Sequence, residues 1–294
     1  MQALSRFEWP QLNGETVIWD DQQFSTATRR IGPVLPLCKT DSHWDDELTL
    51  LHEAEAGQGN HPIDVASRTL ALSSLSQYVP SGFVIDVGCS SGFLLKDVTQ
   101  QRPDLSVLGS DFLEPLLQRL SSRLPGVPLI QFDLTACPLP DNCVDAITCL
   151  NVLEHIKNDS AAIHEMYRIL KPGGIAHIEV PASPICYDYF DEHLQHFRRY
   201  SATRLKTLVQ DAGFEMMTFT HLGSFIFPLF FAVKMKNKLR GLISKSFNKE
   251  AHVKELLKAS KQSRLLQLAL QAELAIGENV EFPFGIRCVA VVRK

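Results

Sequence analysis

From Phe83 to the end of the chain, short apolar runs alternate with segments whose apolar residues repeat at helical spacing. The runs are Phe83 to Val87, Ser106 to Ser110, Leu129 to Phe132, Ala146 to Leu150, Ile175 to Val180, Met217 to Thr220 and Cys288 to Val292. Most are apolar along their whole length, the pattern of strands buried on both faces rather than half-solvated ones. Strands in turn with helices predict an α/β layer fold with a mostly parallel sheet. The helices between them have readable ends. Asp159 or Ser160 is expected to cap a helix carrying Ile163, Met166, Tyr167 and Leu170 at i, i+3, i+4 and i+7, stopped by Pro172-Gly173-Gly174. Ser201 is expected to cap another, with Leu205, Leu208, Val209 and Ala212 on one face and Gly213 in the left-handed position after it.

Two stretches stand outside the alternation. Residues 1–60 hold ten Asp/Glu against four Lys/Arg with Pro10, Pro33 and Pro36, and are read as an N-terminal appendage or lid with a weak strand signal at Glu15 to Asp20. Residues 225–277 are read as a helical insertion between the last two strands, leaving 61–224 as the ligand-binding core and 278–294 as the final strand of its sheet. Between Lys234 and Arg264 the insertion carries ten Lys/Arg against two Asp/Glu, which the net charge of -4 conceals. The longest apolar run, Phe225 to Val233, is nine residues and contains Pro228, far short of the about 18 that a spanning helix needs. The seven cysteines form no CxxC pair, and no histidine stands at zinc-ligand spacing from them. A cytoplasmic, reduced chain is expected, with no disulfide framework and no metal.

The sharpest local signal is Val84-Ile85-Asp86-Val87-Gly88-Cys89-Ser90-Ser91-Gly92-Phe93, a strand that enters a small-residue turn and then a helix. Such turns often hold a dinucleotide pyrophosphate at the helix N-terminus. Here Ser90 and Phe93 occupy the second and third glycine positions, and the Asp86 carboxylate would repel a pyrophosphate across a partly buried cleft. A cationic ligand is favoured instead. S-adenosylmethionine carries an ammonium and a sulfonium and no phosphate. Asp111 ends the second strand, 19 residues after Gly92, at the spacing that reaches ribose hydroxyls, and Asp133 ends the third, where it can accept a hydrogen bond from an adenine amino group. Each aspartate alone is as readily a turn or cap residue. Three at the carboxyl ends of successive parallel strands mark the edge at which open α/β sheets bind ligands.

At these positions the sequence resembles the class I S-adenosylmethionine-dependent methyltransferases. IDVGCSSGFLL is similar to the first motif of that family, SDFLEPLL to the second, QFDLTACPLPDNCVDAITCLNVLEHI to the third and fourth, and RILKPGGIAHIEVP to the turn into the fifth strand. The resemblance covers about residues 78–222 and the last dozen. It implies a three-layer, doubly wound, Rossmann-like fold on a seven-stranded sheet whose last strand is antiparallel, in a hairpin with the sixth. It further implies that Asp86, Gly88 and Gly92 frame the methionine part of the cofactor, Asp111 the ribose and Asp133 with Leu134 the adenine, that the Asn151 backbone lies near the methionine amine, and that Ser90 and Phe112 also belong to the cofactor site. Ser90 stands where the family often has glycine; with a negative φ it would alter the turn only slightly.

Methyl transfer from a sulfonium is an in-line displacement that the protein serves by aligning the acceptor and excluding water, without need of a metal. A hydroxyl acceptor also requires a base. Tyr187 to Ser201, after the fifth strand, offers His193 and His196, and its H-x-x-H-F-R-R-Y-S pattern resembles a subgroup that modifies sugars, glycan intermediates and other small metabolites. His196 or His193 is the expected base, with the alternative that either anchors the helix from Ser201. Glu154 and His155 are further candidates, weighed more toward bracing their loop. Arg198 and Arg199 suit a carboxylate or phosphate, or pairing with Asp188 or Asp191. In the insertion, Phe225, Phe227, Leu229, Phe230 and Phe231 precede Lys234, Lys236, Lys238 and Arg240, a combination suited to the anionic inner face of a membrane (residues 225–264) or to a lipid-linked acceptor, the alternative being a packed helix with a solvated basic face. The reading is a methyltransferase acting by O-methylation on a small-molecule, glycan or lipid-linked acceptor. Its rivals are a non-catalytic module on the same fold and an NAD-dependent oxidoreductase. The acidic N-terminal region and the lack of an aromatic-basic motif argue against nucleic acid as a partner.

Overall fold

The computed structural model describes residues 7–38, 59–243, 260, 263–277 and 280–294, with side chains of 240–243 excepted. Three short strands, β1 (Ile18–Trp19), β2 (Phe24–Ser25) and β3 (Arg30–Gly32), form a small antiparallel sheet. After them come β4 (Val34–Pro36), helix α1 (Pro62–Tyr78), β5 (Gly82–Val87), α2 (Phe93–Gln101), β6 (Leu105–Asp111), α3 (Glu114–Arg123), β7 (Leu129–Gln131) and β8 (Val144–Leu150). The chain continues through α4 (Asp159–Ile169), β9 (Leu170–Pro181), α5 (Tyr189–His193), α6 (Ala202–Asp211), β10 (Glu215–Leu222), α7 (Phe227–Ile243), α8 (Arg264–Gly277) and β11 (Arg287–Arg293).

All seven apolar runs become strands of one sheet, in the order β10-β11-β9-β8-β5-β6-β7-β4. The sheet is parallel from β9 across to β4, and β11 runs antiparallel between β9 and β10. Its order reverses beside β5, so the carboxyl ends of β5 and β8 diverge and open a crevice there. Val84, Ile85, Ala146, Ile147, Ile175 and Ile178 are all buried, as strands covered by helices on both faces require.

The sheet has eight strands where seven were expected. The extra one is β4, which pairs in parallel with β7, Val34 opposite Leu129 and Pro36 opposite Gln131. It lies at the edge of the sheet, the one place where a proline costs no ladder hydrogen bond. The segment before it is not held apart from the core. Trp9, Trp19 and Phe24 are buried in the same apolar cluster as Ile85, Ile130 and Ile147.

One of the two expected helix caps differs. The cap of α4 is Asn158, whose Oδ1 accepts from the Ala161 amide at 3.2 Å. Asp159 instead lies buried, accepting from Tyr200 Oη and Arg204 at 2.8 Å each. Ser201 does cap α6, accepting from the Arg204 amide at 3.1 Å.

The insertion is held onto the core by charge. On α7, Lys234 is buried and donates to Asp188 Oδ1 at 2.7 Å and Asp191 Oδ2 at 3.0 Å, and Asn237 donates to Asp188 Oδ2 at 3.2 Å. Lys238 donates to the Ile185 carbonyl. One of the lysines expected on a cationic surface, Lys234, is thus turned inward, while Lys238 is half-buried and Lys236 exposed. The Arg240 side chain and residues 244–259 lie outside the described residues. Among the described residues no helix is long and apolar enough to cross a membrane.

Candidate active site

A cavity of about 440 Å³ opens beyond the carboxyl ends of β5, β6, β7 and β8, within the range of small-molecule sites. Gly88, Ser90, Asp111, Phe112, Asp133, Leu134, Asn151 and His155 line it. Asp86, Gly92, His193 and His196 do not belong to its wall. The wall is mostly apolar, from Val87, Leu113, Leu116, Phe132, Val152 and Ile156, with its carboxylates at Asp111 and Asp133.

The turn that closes one side is built from left-handed residues. Gly88 (φ 69°), Ser90 (φ 46°) and Gly92 (φ 72°) all have positive φ. A Cβ at Gly88 would overlap the Val152 side chain, and one at Gly92 the Leu120 side chain. Ser90 was expected at negative φ and takes the left-handed form instead, because its amide points at Asp111. The Asp111 carboxylate accepts from Ser90 N and Leu113 N, both at 3.0 Å, locking the turn to the end of β6. Those two bonds repay part of the backbone cost of a non-glycine residue there. Asp133 caps the short helical turn Leu134–Ala136 through Thr135, whose amide and hydroxyl each donate to Oδ1 at 2.8 Å.

Asp86 stands behind the turn, 5% exposed, and accepts from Thr148 Oγ1 at 2.7 Å. Burial pushes its carboxyl up to about 7; the Thr148 bond opposes this and the nearby Asp111 adds to it. Asp111 is also raised, chiefly by burial. Asp111 in the wall and Asp86 buried behind it are thus two acids whose charged forms burial disfavours and a nearby cation would favour.

Asn151 begins the opposite wall at φ 56°. Its amide donates to the Glu179 carbonyl at 2.8 Å and its side-chain nitrogen to Glu179 Oε1 at 3.2 Å. The same oxygen accepts from Ser67 Oγ at 2.7 Å and Arg287 Nη1 at 2.6 Å, and Arg287 also reaches Asp64 at 3.0 Å. Glu179 is fully buried. Neither Glu179 nor Arg287 was singled out from the sequence. The available signal was a glutamate inside an otherwise apolar strand, which must be paired if it is buried.

Of the three candidate histidines, His155 reaches the cavity. His196 lies behind it, the rings meeting edge to face at 4.7 Å between centroids, and its Nδ1 is 3.0 Å from Asp191 Oδ1. Burial lowers the pKa of His196, and the contact with Asp191 partly offsets that. Asp191 is fully buried; burial alone would raise its carboxyl, but His196, Arg199 and Lys234 hold it far below the ordinary range. His193 is half-buried with no hydrogen-bond partner at Nε2. Beside the histidines, Glu154 is 1% exposed, and burial pushes it up to about 8.

The rest of the H-x-x-H-F-R-R-Y-S segment serves the fold. Arg199 is buried, donating to Asp191 at 2.7 Å and to the Ala182 carbonyl at 3.1 Å. Arg198 donates to the carbonyls of Ile156 and Lys157 at 2.8 Å each, and Tyr200 Oη donates to Asp159. Neither arginine lines the cavity, and of the alternatives weighed for them, a ligand clamp or pairing with Asp188 or Asp191, Arg199 takes the pairing with Asp191.

The residues suit S-adenosylmethionine. The positive-φ turn lets a ligand approach the backbone, the acids face its charge, and Phe112, Leu134 and Val152 supply apolar surface for a purine. A dinucleotide would bring its pyrophosphate against Asp111.

Comparison with known proteins agrees. Residues 85–178 match the family described as "Methyltransferase domain". A Mycolicibacterium smegmatis protein named "Probable S-adenosylmethionine-dependent methyltransferase" is 30% identical over 138 residues, 45% of this chain and 52% of that protein. The ubiquinone/menaquinone biosynthesis C-methyltransferase of Pseudoalteromonas translucida is 26% identical over 199 residues, 58% of this chain and 73% of that protein. The solved structure of phosphoethanolamine N-methyltransferase 2 from Haemonchus contortus with S-adenosyl-L-methionine shares the fold at TM-score 0.52 and 14% identity, over 86% of this chain and 58% of that one. The chain spans about half the length of the curated relatives it matches first.

Proposed function

We propose, from the methyltransferase-domain match over residues 85–178 and the likeness to proteins named as S-adenosylmethionine-dependent methyltransferases, that this chain is a class I S-adenosylmethionine-dependent methyltransferase and transfers a methyl group to a small-molecule, glycan or lipid-linked acceptor, favouring a hydroxyl oxygen. The single observation that carries the reading is the cavity that joins the acid-lined glycine turn to His155. The cofactor supplies the electrophilic methyl carbon. Gly88 and Ser90 lie against its amino-acid end, Asp111 and Phe112 against the ribose, Asp133 and Leu134 against the adenine, and the Asn151 backbone against the amine.

The acceptor enters on the side of His155. The imidazole there takes the hydroxyl proton, and His196, tied to Asp191, packs behind and fixes the ring. Bound in the cavity, S-adenosylmethionine would supply an electrophilic methyl carbon for in-line attack by the acceptor oxygen that His155 deprotonates, with the sulfur of the cofactor as leaving group. The apolar wall keeps water from the methyl carbon.

Several relatives are named as quinone methyltransferases, one of them as a C-methyltransferase. This favours a second reading, methylation of a ring carbon in a phenolic acceptor. Deprotonation at His155 serves both, since a phenolate is nucleophilic at oxygen and at carbon. Radiolabelled methyl transfer into fractionated cell extract, followed by cleavage of methyl ethers, separates them: label released by cleavage marks oxygen, label retained marks carbon, and no label in any fraction contradicts methyl transfer.

A lipid-linked acceptor agrees with Phe225, Leu229 and Leu239, 47%, 62% and 59% exposed, beside the exposed Lys236. Co-sedimentation with vesicles that rises with anionic lipid content is the expected result for contact through residues 225–264; sedimentation independent of lipid charge contradicts it.

A further inference from the structure

One buried carboxyl beside the cavity is left without a hydrogen bond. Glu154 is 1% exposed and both of its oxygens lack a hydrogen-bond partner, although burial of a carboxylate is costly unless it is paired or holds a metal. Its neighbours are two imidazoles. One ligand-type atom each from Glu154, His155 and His196 lies within 4.8 Å of the others. The segments that carry them are pinned together, since the Phe197 amide donates to the Glu154 carbonyl at 2.8 Å.

His196 shows the arrangement expected of a metal-binding histidine. Its Nδ1 is engaged by Asp191 at 3.0 Å, which leaves Nε2 as the remaining ring nitrogen. A carboxylate on the far nitrogen fixes the tautomer and raises the basicity of the near one. Asp191 is itself anchored by Arg199 at 2.7 Å and Lys234 at 3.0 Å, so it cannot swing in as a ligand.

We propose that Glu154, His155 and His196 form a site for a divalent first-row transition ion at the acceptor end of the cavity. Two imidazoles and one carboxylate are a donor set suited to Zn²⁺, Fe²⁺ or Co²⁺ rather than to Mg²⁺ or Ca²⁺, which prefer oxygen. Ligand bonds of about 2.1 Å place tetrahedral donors about 3.4 Å apart, so binding draws the three together by rotation of their side chains. Because His155 also lines the cavity, the ion would face an acceptor hydroxyl. Its charge would then acidify that oxygen, the proton leaving to solvent, and the two histidines would hold the ion instead of accepting the proton.

The inference goes beyond the methyl-transfer reading and does not rest on it, because the test uses neither cofactor nor acceptor. The full chain is stripped with chelator, dialysed and titrated with Co²⁺. The expected result is one equivalent bound with visible d–d absorption, displaced by Zn²⁺. Glu154→Gln and His196→Gln should each weaken binding by more than the about 10–100-fold that loss of an outer-shell partner costs. Thermal melting of the metal-free proteins checks that each variant folds, and either folded variant suffices for the comparison. Absence of stoichiometric Co²⁺ binding by the unaltered chain overturns the proposal, as does binding of equal strength in a folded variant.

Discussion

Asp86 couples the cavity to pH. Its folded pKa of about 7 lies above the 3.8 of a free carboxyl, so the folded chain binds more protons than the unfolded one between those values. The contribution of this residue to the stability of the ligand-free protein therefore falls as pH rises from about 4 to about 7. A cationic ligand favours the carboxylate, so its binding releases a proton and tightens as pH rises through about 7. Calorimetry of S-adenosylmethionine binding at pH 6 and pH 8, in buffers of different ionisation enthalpy, checks this; Asp86→Asn should reduce the pH dependence. A second residue-scale prediction concerns Arg287, which neutralises the buried Glu179 that holds Asn151. Arg287→Met strands that charge at a cost of about 3–5 kcal/mol. Thermal melting should show a fall of roughly 10 °C, with weaker cofactor binding as the Asn151 turn loosens. A melting temperature unchanged from the parent chain would contradict the role given to the pair. The aspartates stand out in the sequence because Asp111 and Asp133 each follow an apolar run and Asp86 interrupts one near its end. Glu179 and Arg287 were not, since their pairing joins positions 108 apart in the chain.

At the scale of elements, the strands were legible because full burial makes them apolar from end to end, and the glycine turn because it must fold back at positive φ. β4 was not. It has three residues and one is proline, too short for a period and readable only once the edge of β7 is there to receive it. The cap of α4 moved by one residue because Asp159 is taken by Tyr200 and Arg204, leaving Asn158 for the helix amides. The basic insertion was legible in charge but not in direction, since Lys234 finds Asp188 and Asp191 from a distant part of the chain. The N-terminal strands carry their own prediction. Phe24 is fully buried against Trp9 and Trp19. Phe24→Ala should cost about 3–5 kcal/mol of stability in denaturant unfolding; a loss under about 1 kcal/mol would mean that this segment is peripheral to the core.

On the scale of the whole molecule, the sheet brings chemistry together by topology. The order reverses beside β5, and the loops that follow β5, β6, β7 and β8 meet over one crevice. The residues proposed to hold the cofactor lie near those strand ends, where the sequence pattern singled them out. The proposed acceptor side involves the loop after β8 and the segment from Tyr187 to Ser201, where His196 and Asp191 are brought behind His155 by packing that no local pattern announces.

The central claim is that this crevice receives a cationic nucleoside rather than a dinucleotide. Isothermal titration of the full chain with S-adenosylmethionine and, separately, with NAD tests it most directly. One S-adenosylmethionine should bind per chain, more weakly after Asp111→Asn, with no measurable heat from NAD. Heat with NAD and none with S-adenosylmethionine would contradict it.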